Sequence, residues 1–263
     1  MVATVTHPTT SLEGKSAIVT GGSRGIGLAS ATELAARGAA VTINARKPEP
    51  LADAAEQIRK HVPGARVLAI AGNSGDPDIR RDIVAQAVDA HGGIHILVNN
   101  TGINPQIGPL METDPRAALK TFDVNVVAAL GFVQECYRAG MADSGGSIIN
   151  IASVAGLRPA GPLAIYGASK AALIKITEEL AAQLGPTIRV NAVAPALVKT
   201  KFAELLYAHD EEAVAAPYPL KRLGVPQDIA NLVAFLASDE SSWISGETIR
   251  IDGGSGTIMG AAG

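Results

Sequence analysis

The chain contains one cysteine, Cys136, set in an apolar stretch. A single thiol closes no internal disulfide, so a disulfide scaffold is excluded and the residue reads as a small core hydrophobe. Aromatic residues make up only 3% of the chain, which leaves few platforms on which bases could stack. Charge is also sparse, at 18% of residues and a net of -3. That balance speaks against a nucleic-acid partner, which wants a basic excess, and against a disordered chain, which cannot be this apolar. The histidines His7, His61, His91, His95 and His209 share no metal-ligand spacing, and His91 and His95 straddle a Gly-Gly turn; no metal is expected. No stretch reads as a membrane span, and the opening MVATVTHPTTSLEGK lacks the basic and apolar regions of a secretion signal. The expectation is a cytoplasmic setting with no membrane partner.

What is present is a repeating pattern over 263 residues, 47% of them hydrophobic. Residues 1–13 read as a flexible arm and 14–263 as a single domain. Short apolar runs at 16–20, 40–45, 66–71, 95–99, 146–152, 187–193 and 248–251 read as strands. Helical segments fall between them at 27–38, 49–61, about 78–91, about 115–139, about 163–184 and about 226–237. The strands are continuously apolar rather than alternating, as expected when helices bury both faces of a parallel sheet. The expected fold is α/β: a single-domain, Rossmann-type doubly wound parallel sheet with helices on both faces. The least periodic stretch, about 195–225, carries Pro195, Pro217 and Pro219. It reads as a partly helical substrate-loop insertion beside the edge where such sheets hold ligands.

TGGSRGIG (20–27) follows the first strand and opens the first helix. In that context Gly21 permits a tight turn, Gly25 lets backbone approach a pyrophosphate, and Gly27 lets the helix pack on the sheet. The helix start then offers N–H groups and a positive dipole end to phosphates; Ser23, Arg24 and Ile26 complete the turn. A second polar turn, NNTG (99–102), contributes Asn99, Thr101 and Gly102 to the cofactor surface or merely caps the fourth strand. The second strand ends Asn44-Ala45-Arg46-Lys47 with no carboxylate to bind ribose hydroxyls. Arg24, Arg46 and Lys47 are placed to meet a ribose phosphate, which favours NADP(H); NAD(H) stays open if these cations are simply solvated.

Tyr166-Gly-Ala-Ser-Lys170 sets a phenol and an amine four residues apart, on one helical face. The ammonium is expected to favour the phenolate, making Tyr166 a general acid for carbonyl reduction and a general base for alcohol oxidation. Ser153, after the fifth strand, is placed to hydrogen-bond the carbonyl oxygen. Asn125, in the long helical region, is placed to hold a water linking Lys170 to solvent.

These pieces together resemble the short-chain dehydrogenase/reductase family. TGGSRGIG (20–27), NNTG (99–102), Asn125, NIAS (150–153), YGASK (166–170), NAVAP (191–195) and WISGETIRIDGG (243–254) carry the resemblance over about 12–254. It implies that Asn125, Ser153, Tyr166 and Lys170 form the catalytic tetrad, with Lys170 also binding the nicotinamide ribose. It further implies that Pro195, Ala196, Val198 and Thr200 border the nicotinamide, and that the assembly is a homotetramer or homodimer. Three departures stand out: Thr101 where the family has alanine, Asn73 (beside Ser74 on the adenine side) where it often has aspartate, and Ala196 where it has glycine. Alanine at 196 restricts φ and could reshape the nicotinamide edge.

Ile103, Asn104, Val154, Ala155, Leu163 and Leu197 follow strand ends and are the expected substrate contacts, with the 202–218 region beside them. They are mostly apolar, which suits a ketone or acyl chain. The chain resembles bacterial 3-oxoacyl-thioester reductases and related small alcohol dehydrogenases, and Arg158 either meets a charged carrier or is solvated. An NAD(H)-dependent dehydrogenase of a secondary alcohol, sugar acid or steroid remains an alternative reading. A non-catalytic cofactor-binding regulator is another, although it would be expected to lose part of the tetrad.

Overall fold

A computed structural model describes residues 10–258. The seven strands are β1 (Ser16–Thr20), β2 (Ala40–Ala45), β3 (Val67–Ala71), β4 (Ile96–Asn99), β5 (Gly146–Ile151), β6 (Ile188–Pro195) and β7 (Thr248–Ile251). They form one sheet in the order β3-β2-β1-β4-β5-β6-β7, and every neighbouring pair is parallel. The order reverses between β1 and β4, so the loops after these strands diverge and leave a crevice at the carboxyl edge.

The principal helices are α1 (Gly25–Ala36), α2 (Pro48–His61), α3 (Pro77–His91), the composite α4 (Pro115–Ser144), α5 (Ala164–Leu184) and α6 (Pro226–Ala237). Local chemistry sets their ends. In α3 the Asp76 side chain accepts from the Asp78 and Ile79 N–H groups, Pro77 occupies the first turn, and Gly92 closes the helix in the left-handed conformation. Because strand side chains alternate, the sheet builds two cores. Val19, Ile43 and Val98 pack with Leu34, Leu51 and Val233 of α1, α2 and α6. Ile18, Leu97 and Ile148 pack with Ile83 and Phe132 of α3 and α4 on the other face. Cys136 is buried in this second core.

Helix α4 departs most from the sequence reading. It begins at Pro115–Phe122, passes through a π turn at Asp123–Val127 and continues as Ala128–Cys136. A second wide turn follows, broken by Gly140 at φ 109°. The composite Pro115–Ser144 spans 30 residues and contains an 18-residue window of mean hydropathy 1.2, so one segment does reach the length and apolarity of a membrane span, contrary to expectation. Its apolar face is core: Val124, Val126, Phe132 and Val133 are all buried.

One smaller difference concerns the end of an expected segment. The arm is not loose up to residue 13: Leu12 is buried and its N–H donates to the Arg37 carbonyl at 2.7 Å. Residues 1–9, His7 among them, lie outside the described residues. The 195–225 stretch is partly helical, with turns at Glu204–Leu206 and Glu211–Ala215. Among the described residues no cluster of His, Cys, Asp or Glu could hold a metal.

Candidate active site

The site lies where the loops after β1, β4, β5 and β6 meet. Gly21 and Gly25 adopt positive φ, 66° and 55°, and a Cβ on Gly27 would strike the Gly21 carbonyl and the Asn100 amide. Asn100 fixes this turn: its Nδ2 donates to the carbonyls of Thr20 at 2.8 Å and Gly21 at 3.2 Å. Thr20 Oγ1 in return accepts the N–H groups of Asn100 and Thr101, each at 3.0 Å. The helix start beyond has no acidic residue in its first turn and no side-chain cap from Arg24, so its N–H groups and dipole are available to an anion. These features fit a dinucleotide pyrophosphate.

The second strand ends without a carboxylate near the crevice. Asn44 there is buried and faces β3, its Nδ2 donating to the Ile70 carbonyl at 2.9 Å and the Gly72 carbonyl at 3.2 Å. Arg24, Arg46 and Lys47 are exposed around the turn, and none takes part in an ion pair found among the described residues.

Three expected cofactor contacts have their side chains committed elsewhere. Asn99 points into the sheet's α4 side, donating to Asn150 Oδ1 at 3.0 Å and the Ala129 carbonyl at 3.3 Å. Strand alternation gives the reason: Asn99 shares a face with Leu97, and Asn100 is the neighbour that reaches the turn. Ser74 is buried and donates to Asn44 Oδ1 at 3.0 Å, with Thr101 Oγ1 at 3.4 Å. Val198 is buried in the first core. Any contact of Ser74 or Val198 with a nucleotide must therefore come through backbone. Asn73 is exposed, its Oδ1 accepting from the Gly75 N–H at 3.2 Å. Ala196 brings no left-handed strain, because Lys221 is the one non-glycine residue at positive φ among those described. Thr200 does reach the turn: a Cβ on Gly25 would lie 3.2 Å from its methyl group.

Asn125, Ser153, Tyr166 and Lys170 come together. The π turn of α4 directs the buried Asn125 to Ile103, accepting from its N–H at 2.8 Å and donating to its carbonyl at 3.0 Å. Its other N–H donates to Ser169 Oγ at 3.0 Å, and Ser169 donates to the Tyr166 carbonyl at 2.7 Å. Both amide protons are thus used, and a lone pair on Oδ1 is what Asn125 has left for a water. Lys170 Nζ donates to the Ile151 carbonyl at 2.7 Å and sits 5.7 Å from the Tyr166 ring centre. Gly102 lies beside both groups: a Cβ there would be 3.4 Å from Lys170 Nζ and 3.6 Å from Asn125 Oδ1. Ser153 forms a hydrogen bond to the Tyr166 side chain and accepts the Ala155 N–H at 3.1 Å. Gly156 lets this turn rest on α5, since a Cβ would come 2.7 Å from the Ala171 nitrogen.

The electrostatics correct one expectation. Burial pushes the Tyr166 phenol up to about 12, opposed by the Ser153 hydrogen bond, instead of the phenolate being favoured by its lysine neighbour. Burial lowers the Lys170 ammonium to about 8. The low-polarity surroundings penalise both charged forms, and the amine is turned toward the Ile151 carbonyl.

The expected substrate contacts Ile103, Asn104, Val154, Ala155, Leu163 and Leu197 are all half-buried on these loops. The Gly108 N–H donates to the Pro162 carbonyl at 3.0 Å, tying the loop after β4 to the turn before α5. Sequence reading assigned no role to Asn100, Thr20 and Ser169, which brace the site; the 202–218 region expected beside the substrate includes Phe202, whose ring centre lies 6.0 Å from that of Tyr166. Asn100 was recoverable from strand parity; the role of Ser169 and the pairing of Phe202 with Tyr166 depend on contacts that no local pattern announces.

Comparison with known proteins agrees with this architecture. A family profile described as Enoyl-(Acyl carrier protein) reductase matches residues 21–256. The chain is 37% identical over 244 residues to Tropinone reductase-like 3 of Erythroxylum coca, covering 92% of this chain and 93% of that protein. It is 39% identical over 248 residues to Dehydrogenase/reductase SDR family member 4 of Caenorhabditis elegans, covering 92% and 95%. The solved short-chain type dehydrogenase/reductase of Mycobacterium marinum superposes with a TM-score of 0.87 at 34% identity, covering 94% of this chain and 97% of that one. The glycine turn, the Ser153-Tyr166-Lys170 cluster and these likenesses converge: the chain belongs to the short-chain dehydrogenase/reductase family of nicotinamide-dependent oxidoreductases.

Proposed function

We propose that the protein is an NADP(H)-preferring reductase of ketones, acting in reverse as a secondary-alcohol dehydrogenase. The observation that carries the reading is the convergence of the Ser153 hydroxyl, the Tyr166 phenol and the buried Lys170 ammonium beside Gly102. Two hydroxyls meeting at one point suit a carbonyl oxygen, one orienting it and the other giving it a proton. With its phenol at about 12, Tyr166 keeps that proton at neutral pH and acts as general acid. Lys170 holds positive charge near the phenol and offers N–H donors to a ribose. The bound nicotinamide supplies or accepts the hydride. Ser169 and Asn125 hold the Tyr166 backbone and the loop after β4 in register.

Exposed Arg24, Arg46 and Lys47, with no acid at the end of β2, support NADP(H) over NAD(H). The apolar contacts support a ketone or a 3-oxoacyl thioester over a sugar. Assembly as a homotetramer or homodimer is part of the proposal, supported by exposed Leu119, Val127 and Tyr137 on α4 and the fully exposed Trp243 before β7; light scattering on the purified chain measures it.

The test is turnover of a ketone panel with each nucleotide. NADPH is expected to give at least tenfold higher kcat/KM than NADH, a difference of about 1.4 kcal/mol. Tyr166→Phe is expected to lower kcat by about a hundredfold or more while NADPH still binds by fluorescence titration. Unchanged turnover in that variant excludes the mechanism.

A further inference from the structure

Phe202 is placed unlike the other aromatic residues of this aromatic-poor chain. It belongs to the segment after β6, yet its ring lies against the proton-donating Tyr166, centres 6.0 Å apart and planes tilted by 43°. It is also 54% exposed, so the ring is not spent on packing and keeps an open surface beside the reacting position. The loops around it leave further apolar surface uncovered: Leu157 after β5, Leu205 and Leu206 on the same segment as Phe202, and Leu110 in the loop after β4. Since β4, β5 and β6 are parallel neighbours, their following loops all emerge at one edge of the sheet. Two cations near this mouth are engaged, Lys199 with Glu211 at 3.0 Å and Arg222 with Asp228 at 2.6 Å, while Lys201 beside Phe202 is exposed to solvent. A concentration of uncovered apolar side chains next to a half-buried acid marks a site for apolar ligand.

We propose that Phe202 is the specificity-determining wall of the site, and that the substrate is an uncharged ketone bearing an aromatic or alicyclic ring packed on Phe202. The inference rests on the ketone-reductase reading and deepens it. A carbonyl oxygen held by Tyr166 and Ser153 puts one substituent of the ketone next to the tyrosine ring, which is where Phe202 stands. A tilted pair of rings accepts a third in the offset or edge-to-face geometry that aromatic groups prefer. A polyhydroxylated ketone would instead leave its hydroxyls facing hydrocarbon without partners.

The test uses the full chain with NADPH and with NADH, and three probes: benzylacetone, dihydroxyacetone and acetoacetyl-coenzyme A. The wild type is expected to prefer benzylacetone over dihydroxyacetone by on the order of a hundredfold in kcat/KM. Phe202→Ala is expected to lower that ratio about tenfold, the range that loss of an aromatic contact gives. Phe202→Tyr is expected to keep the ratio, and Phe202→Leu, which keeps bulk without a ring, to lower it. Because Phe202 is largely exposed, these changes leave the core intact, which circular dichroism checks. A ratio unchanged in Phe202→Ala, or a wild type that favours dihydroxyacetone or acetoacetyl-coenzyme A, overturns the inference and leaves the reductase reading standing. Turnover of no carbonyl with either nucleotide overturns the reductase reading. In that event saturation-transfer NMR of benzylacetone decides for the wall: signal from wild type but not Phe202→Ala supports it, and equal signals overturn it.

Discussion

Lys170 is an ammonium held in the interior with a backbone carbonyl as its nearest acceptor. Its acidity, lowered to about 8 from an ordinary 10.5, has two measurable consequences. If the charged amine assists Tyr166, kcat/KM for reduction falls as pH rises through about 8, and a pH profile of the free enzyme reads this directly. Stability runs the opposite way. Between pH 8 and 10.5 the unfolded chain binds the proton that the folded chain has released, so this residue's destabilising contribution is full below 8 and fades toward 10.5. Lys170→Met is therefore expected to raise the unfolding free energy at pH 7, and the gain should shrink above pH 8; denaturant titrations at several pH values check it. The position of this lysine was legible, because four-residue spacing in a helix is local. The direction of the Tyr166 shift was not, because burial comes from loops far away in sequence.

At the scale of elements, the strands were legible from continuous apolar runs and most helix ends from proline and glycine. The π turn in α4 was not, because it is held by the partners of Asn125: Ile103 lies 22 positions before it and Ser169 44 positions after it. The contact between α3 and α4 was equally hidden. Arg80 is buried, its Nη1 donates to the Ser74 carbonyl at 2.8 Å, and its guanidinium crosses α4 at Gly131. A methyl group on Gly131 would sit 2.5 Å from Arg80 Nε. Gly131→Ala is expected to cost about 1–3 kcal/mol by overpacking, measured by chemical denaturation. Combined with Arg80→Ala, which removes the obstructing group, it should cost less than the sum of the two single changes. Additive losses would place the strain elsewhere.

The whole molecule buries Cys136 in the core shared by α3, α4 and the sheet, and burial pushes its thiol far above the ordinary range. A thiol reagent is expected to label it no faster than the protein unfolds globally, with circular dichroism supplying the unfolding rate for comparison. Labelling that outruns unfolding would reveal a separate opening of that core. The hydrogen bonds from Asn100 and Thr101 to Thr20 Oγ1 also bear on how the protein comes into being. They join residues about eighty positions apart, so a chain growing from its amino end cannot close the nucleotide crevice until Thr101 has emerged. The proton donor follows at Tyr166 and the aromatic wall at Phe202. The order in which the ribosome delivers these parts is thus grip, then acid, then selector.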